Sequence, residues 1–236
     1  MSYLAKKQFF INERFLAGLL LTSFLFGCTS KNRKGSYDFC QNLKSPCLHG
    51  KALVEIRTNR GVINFELDGD SSPVTAGNFV DLVNKGFYDN TFFYRVIKKP
   101  IPFVVAGGRP YLKSSDMDSS NFENNSFIDP SSGHARFVPL EMKLKGESIP
   151  RYGQLITNPN ELLLLELRHK RGSLSMLRSM AADSASTQFF ISLRPLPELD
   201  GRYSVFGNVV SGMDVVEKLV KGDAIIKSVI LPYKSK

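Results

Sequence analysis

Arg95 stands alone among apolar residues, between Phe93-Tyr94 and Val96-Ile97. Its guanidinium stays charged and offers several N–H donors in a rigid fork. By itself, an arginine in such a run reads as a solvent-facing strand residue, so the neighbouring strings decide what it can do. A proline-bearing excursion follows at 98–102, then an apolar run at 103–106 and a Gly107-Gly108 break. Two later strings have a similar build. Gln188-Phe189-Phe190-Ile191 is an apolar run led by one amide, and LDGRYSVFG at 199–207 places Tyr203 and Phe206 three apart. Other chemistries find little support. No Ser/His/Asp or Cys/His set stands out. His49, His134 and His169 lie far apart without ligand spacing, so they read as surface or structural residues and no metal is expected. Gly107-Gly108 lacks the flanks of a phosphate-cradling loop, and no cofactor is expected.

The elements that would position these residues are mostly short strands. Residues 52–58 alternate apolar and polar, 59–61 turn, and 62–67 return, which is a hairpin. Ser72-Pro73 reads as an N-cap followed by proline at the first helical position. Val74, Phe79, Leu82 and Val83 continue at helical spacing until Gly86. Strands are expected at 92–97 and 103–106, a strand-like stretch at 137–142, and short strands at 172–177, 188–193, 204–210 and 224–231. Ser211, with Asp214 three residues on, is expected to cap a second helix that ends at Gly222. The leucine-rich stretch 160–167 fits a short helix or a buried strand, and periodicity does not separate the two. Residues 109–136 are rich in Ser, Asn, Asp, Gly and Pro and form a loop unusually long for a compact domain, hence functional, disordered or both. Many short strands with two helices fit a mainly β fold, a closed antiparallel barrel capped at its ends.

Residues 1–28 read as a targeting segment. Lys6, Lys7 and Arg14 supply positive charge, and 15–26 is an apolar run too short to span a bilayer comfortably. Its end, Leu25-Phe26-Gly27-Cys28, resembles the lipobox of bacterial lipoproteins, in which the cysteine is lipidated and becomes the new N-terminus; Phe26 is bulkier than that pattern usually carries. The alternatives are an ordinary signal peptide or an uncleaved anchor, with Cys28 incidental. The lipoprotein reading makes this an exported cell-envelope protein, facing periplasm or exterior and held to a membrane by its lipid. Export permits disulfides, and Cys40 and Cys47, six residues between them, are the candidate pair. Metal binding by this pair is the weaker reading, since His49 is the one other ligand type nearby. Residues 29–50 look like a tether and 51–236 like a domain. Net charge is +9, but the basic residues are scattered rather than clustered, so nucleic acid is not an expected partner.

Taken in order, FYRVI…FVVAGG, GSLSMLRS…SASTQFFISL and LDGRYSVFG resemble the consecutive signatures of cyclophilin-type peptidyl-prolyl isomerases, over roughly 53–231. The resemblance implies a closed eight-stranded barrel and cis–trans isomerisation of X–Pro bonds in proline-containing polypeptide segments, assisting the folding of exported proteins. It implies that Arg95 is catalytic and that Phe103, Val104, Phe190, Leu199, Tyr203 and Phe206 line a proline pocket; for Phe190 and Phe206 plain barrel core is the alternative. Gln188 would contact the substrate backbone. Leu177, Arg178 and Ser179 would run beside the residue preceding proline, unless they are simple edge structure. Three positions depart from the family pattern. Tyr94 replaces a common His and can still donate a hydrogen bond. Ala106 replaces a Gln that braces the arginine and contacts substrate, which implies reduced activity. Glu198 stands where some members carry Trp, which implies weak or no cyclosporin-type inhibitor binding. One rival reading is a chaperone-like module that holds proline segments on the same fold without turning them over. A second is a structural envelope protein with no preference for proline.

Overall fold

A computed structural model of the chain describes residues 39–40, 45–109 and 126–233, all within one compact unit. The opening hairpin pairs β1 (Lys51–Thr58) with β2 (Gly61–Asp68) from Lys51↔Asp68 to Thr58↔Gly61. Successive side chains on a strand point to opposite faces. Val54, Ile56, Ile63, Phe65 and Leu67 are accordingly fully buried, while their neighbours in sequence are not. Helix α1 (Pro73–Asn84) lays Val74, Phe79, Leu82 and Val83 onto the same core. There Phe79 meets Phe189 edge-on at 5.5 Å and Phe206 at 5.2 Å between ring centres.

The other strands are β3 (Thr91–Phe92), β4 (Arg95–Val96), β5 (Val104–Gly107), β6 (Glu141–Met142), β7 (Arg151–Tyr152), β8 (Ser173–Met176), β9 (Phe189–Ser192), β10 (Val205–Ser211) and β11 (Ala224–Leu231), and all but the last two are short. Nine of the eleven form one curled antiparallel sheet in the order β3-β11-β1-β2-β10-β8-β9-β5-β4, and β6 and β7 pair separately. This differs from a closed barrel of eight. The strand expected at 92–97 breaks into β3 and β4, which become the two ends of the sheet. The break falls where the chain changes partner. Phe93 N donates to Asp223 O at 2.9 Å on the β11 side, and Tyr94 N donates to Ala106 O at 3.1 Å on the β5 side.

Both helix starts differ from the caps expected. Ser72 precedes α1, but its hydroxyl donates to Val205 O. The free N–H groups of α1 are taken instead by the Glu141 carboxylate, which accepts from Val74 N at 3.1 Å and Thr75 N at 2.8 Å. Ser211 ends β10 and accepts from Asn64 Nδ2, so α3 (Met213–Lys218) begins after Gly212, a left-handed residue with φ 84°. That helix stops at Lys218, short of Gly222.

The stretch 140–165 builds a small core of its own from Leu140, Met142, Leu144, Ile156 and Leu165. The leucine run divides between two structures. α2 (Pro159–Leu163) is a short helix whose cap is Asn158, accepting from Asn160 N, and Leu165 then bridges to Leu144. α2 is not one of the two helices expected; a short helix was one of two readings left open for that stretch. Of the long polar loop, 126–136 is held to α1, with Arg136 donating to Asn78 Oδ1 at 3.0 Å and Asp81 Oδ2 at 2.7 Å; residues 110–125 lie outside the described residues.

The end of the expected tether packs on the domain rather than standing off it. Cys40 and Cys47 are joined by a disulfide, and Leu48 N donates to Pro73 O at 3.0 Å. Gly77 makes room for this loop, since a Cβ there would lie 2.4 Å from Cys47 Cα and from Pro46 O. Residues 1–28, with Cys28, lie outside the described residues. Among those described, no helix is long and apolar enough to cross a membrane.

Candidate active site

The register of four strands sets the site. Arg95 pairs with Ala106, Ala106 with Phe190, and Phe190 with Ser175, so these residues form one row across β4, β5, β9 and β8. Adjacent strands lie about 5 Å apart, which puts Arg95 and Phe190 roughly 10 Å apart along the row. Alternation then sorts the faces. Val105, Phe189 and Ile191 enter the main core, whereas Val104, Ala106 and Phe190 point to the outer face, where with Leu196 they found a separate apolar cluster. Tyr94, Ile97, Phe103, Leu177, Leu199 and Tyr203 pack against it, partly exposed. The break at 93–94 lets Tyr94 join this face beside Arg95, while Phe93 stays in the core.

Nearly all the pocket residues expected from the sequence therefore meet in one place. Phe206 does not; it is fully buried in the main core against Phe79. On β10 it alternates with residues of the outer side, so the same strand cannot present it to a ligand there. Phe190 meets Tyr203 edge-on at 5.6 Å between ring centres. Behind Phe190 lies the buried His169 ring, stacked at 5.8 Å, with Nδ1 2.8 Å from Asp200 Oδ1. Burial pushes the Asp200 carboxyl up, but the hydrogen bonds from His169 and Arg168 outweigh it and hold this carboxyl below its ordinary range. Asp200 thereby ties the turn that carries Leu199 to the 168–169 segment, whose His169 ring stacks on Phe190. Sequence spacing offered no sign of this pair, since the two residues are 31 apart.

The polar groups are few. Arg95 is exposed and, among the described residues, its side chain has no ion-pair or hydrogen-bond partner. The side chain opposite it is the Ala106 methyl, which can neither brace nor donate. Tyr94 Oη donates to Gln188 Oε1 at 2.6 Å, and burial pushes the Tyr94 phenol up to about 12, so it remains a donor at neutral pH. Gln188 thus has its carbonyl occupied, and its two amide hydrogens remain to serve an acceptor. Leu177 N donates to Gln188 O at 2.8 Å, and Ser179 Oγ bonds Ser184 Oγ at 2.8 Å. Three more arginines lie against the aromatic rims: Arg109 over Tyr94, Arg178 over Tyr203 and Arg194 over Phe103, at 5.8, 5.1 and 5.9 Å from the ring centres. Glu198 is taken up by Arg194 at 2.7 Å. Among the described residues no group of His, Cys, Asp and Glu could hold a metal ion. An apolar shelf with a free guanidinium at its edge can grip a small ring and donate to a neighbouring amide.

A family model described as cyclophilin type peptidyl-prolyl cis-trans isomerase/CLD matches residues 53–231. A relative in Synechocystis sp., named for the thylakoid lumen and for the same reaction, is 36% identical over 197 residues, 79% of this chain and 48% of that protein. The chloroplastic peptidyl-prolyl cis-trans isomerase CYP38 of Arabidopsis thaliana is 36% identical over 201 residues, 76% of this chain and 42% of that one. The chain thus spans about half the length of these two relatives. A peptidyl-prolyl cis-trans isomerase of Helicobacter pylori is 34% identical over 190 residues, 80% of this chain and 91% of that protein. Among solved structures, a Cryptosporidium parvum cyclophilin type isomerase crystallised in the presence of the dipeptide Ala-Pro is 25% identical, with a TM-score of 0.52, covering 77% of this chain and 99% of that one. This chain belongs to the cyclophilin-type peptidyl-prolyl cis-trans isomerase family.

Proposed function

We propose that this protein catalyses the cis–trans isomerisation of X–Pro bonds. The observation that carries this reading is the placing of Arg95, without a partner among the described residues, on the same outer face as the cluster of Phe103, Val104, Phe190, Leu199 and Tyr203. Rotation about the prolyl bond faces a barrier of roughly 20 kcal/mol set by amide resonance. No covalent bond changes, so the reaction needs no nucleophile, metal or cofactor. The proline ring would seat on the cluster. The Arg95 fork would donate to the prolyl nitrogen as it pyramidalises and to the turning carbonyl, stabilising the twisted amide more than either planar form. Gln188, steadied by Tyr94, would hold the substrate backbone through its amide hydrogens. Leu177, Arg178 and Ser179 would run beside the residue that precedes proline.

The finer reading is a bacterial lipoprotein form. It rests on the charged, apolar and Cys28-ended pattern of 1–28 and on the Cys40–Cys47 disulfide, which suits an oxidising compartment. The names of the Synechocystis and Arabidopsis relatives, which refer to the thylakoid lumen and the chloroplast, agree with export. Membrane attachment would come through lipid on Cys28, and the clients would be exported proteins. We read β3 and β4 as one broken strand whose two halves close an eight-membered ring, since only Phe93 and Tyr94 separate the two ends of the sheet. With Glu198 paired to Arg194 and no tryptophan in the chain, cyclosporin-type inhibitors would bind weakly or not at all.

The test is NMR exchange on a short X–Pro peptide with the full chain and with Arg95→Ala. Turnover in the parent that falls by roughly 10²–10³ in the variant supports the enzyme. Binding without turnover in both would make the site a proline-holding module, the reading favoured by Ala106 opposite Arg95.

A further inference from the structure

The guanidiniums around the site differ in how they are neutralised. Arg194 at the Phe103 side is paired with Glu198, and Arg168 with Asp200 at 2.9 Å. Arg178 is held without being neutralised. Its Nε donates to Arg202 O at 2.8 Å, and its Nη1 donates to Ser179 O at 2.9 Å and reaches Met180 O at 3.4 Å. Its plane lies over the Tyr203 ring. Backbone carbonyls fix the fork, yet none of them cancels its charge. Among the described residues no carboxylate lies within ion-pair distance of Arg178, of its neighbour Arg202, or of Arg95. A fork already fixed loses little rotamer freedom on meeting a ligand, and Nη2, which no described carbonyl takes, keeps its N–H groups for a carboxylate oxygen.

We infer that the site selects X–Pro segments that carry a carboxylate at the residue preceding proline, with Arg178 as the side chain that reads it. This rests on the isomerase reading, which sets Leu177, Arg178 and Ser179 beside that residue. Arg178 is a specificity residue here and takes no part in the rotation itself. Asp or Glu before proline would meet Nη2, the nitrogen of the fork that no described carbonyl takes, whereas Lys or Arg there would face the charge of Arg178 and its neighbour Arg202.

The experiment compares the peptides Ala-Ala-Glu-Pro-Phe, Ala-Ala-Gln-Pro-Phe and Ala-Ala-Lys-Pro-Phe with the full chain, by NMR exchange at low and high salt. The Glu peptide is expected to exceed the Gln peptide in kcat/KM by roughly two- to fivefold at low salt, the range of a partly exposed ion pair, with the Lys peptide lowest. The ratio should shrink toward one in high salt and in Arg178→Gln. Arg178→Lys, which keeps the charge without the fork, should retain part of it. Equal values for Glu and Gln, or a preference that survives Arg178→Gln, would overturn the inference. Turnover of the Gln peptide by the parent chain tests the isomerase reading separately. Should no peptide turn over, the ratio of Kd values from titration takes the place of kcat/KM, and equal Kd values would likewise overturn it.

Discussion

An arginine that stabilises a twisted amide works only as well as its fork is held. Arg95 faces a methyl group at Ala106, on the next strand and in register with it. A glutamine side chain from that position would reach the fork and also the peptide. We therefore expect Ala106→Gln to raise kcat/KM by roughly one to two orders of magnitude, the scale of a restored positioning or donor group. An unchanged kcat/KM, with the variant as stable as the parent, would mean that Arg95 is already held in the complex by substrate. The residues of this cluster were legible through the resemblance of three strings to a known family rather than through periodicity, since 103–106 and 189–191 are unbroken apolar runs. Val104, Ala106, Phe190, Leu177 and Tyr203 all reach the outer face from those strings. For Phe206 the sequence left pocket and core open, because a string gives spacing but not the side of the sheet, and β10 turns that ring into the core. The His169–Asp200 pair and the arginines over Tyr94, Tyr203 and Phe103 depend on tertiary approach between distant segments, so nothing local announces them.

At the scale of elements, α1 shows how far a cap can come from in sequence. The Glu141 carboxylate satisfies its first N–H groups from 66 residues away in chain order, and Ser72, the local candidate, serves Val205 instead. Burial pushes Glu141 from an ordinary 4.5 up to about 7, although the N–H groups of Thr75 and Val74 favour its charged form. The folded value thus exceeds the unfolded one. This group's contribution to stability is then full below about pH 4.5 and is lost as pH rises through about 7. Denaturant melts at several pH values should show the parent weakening across that window by an amount on the order of 3 kcal/mol from this group, and Glu141→Gln should flatten the slope there. Parallel pH profiles for the two proteins would remove Glu141 from the account. Gly77 in the same helix makes a sharper case. In most helix interiors Ala is better than Gly by about 1 kcal/mol. Here an added Cβ would collide with backbone at Pro46 and Cys47. Gly77→Ala is therefore expected to destabilise by about 1–3 kcal/mol, the range for overpacking; a rise in stability would show that the disulfide loop yields easily.

For the whole molecule, the opening hairpin, the first helix and the run of short strands could be read from period-two and helical spacing, because burial on one face imposes those periods directly. The closed barrel expected from those short strands is not what the sheet shows: it is open between β3 and β4, and the break at Phe93-Tyr94 follows hydrogen bonds to Asp223 O and Ala106 O that no local pattern announces. The polar composition of 29–50 suggested a tether, and at its end Cys47 and Leu48 pack on the core with the disulfide beside them. That loop should then act on stability and leave the site alone. It closes between positions seven apart, so the chain-entropy estimate is about 2–3 kcal/mol. Replacing both cysteines, as Cys40→Ser with Cys47→Ser, should lower the denaturant midpoint by a corresponding amount with little change in m. Because no described residue of the loop belongs to the outer apolar cluster, kcat/KM on a neutral X–Pro peptide should hold in the double variant wherever it is still folded. Reductant should destabilise the parent and have no such effect on the variant. An activity loss at full stability would instead tie the loop to the site through α1 and the Phe79–Phe189 contact, and the core would then transmit strain from one face of the sheet to the other.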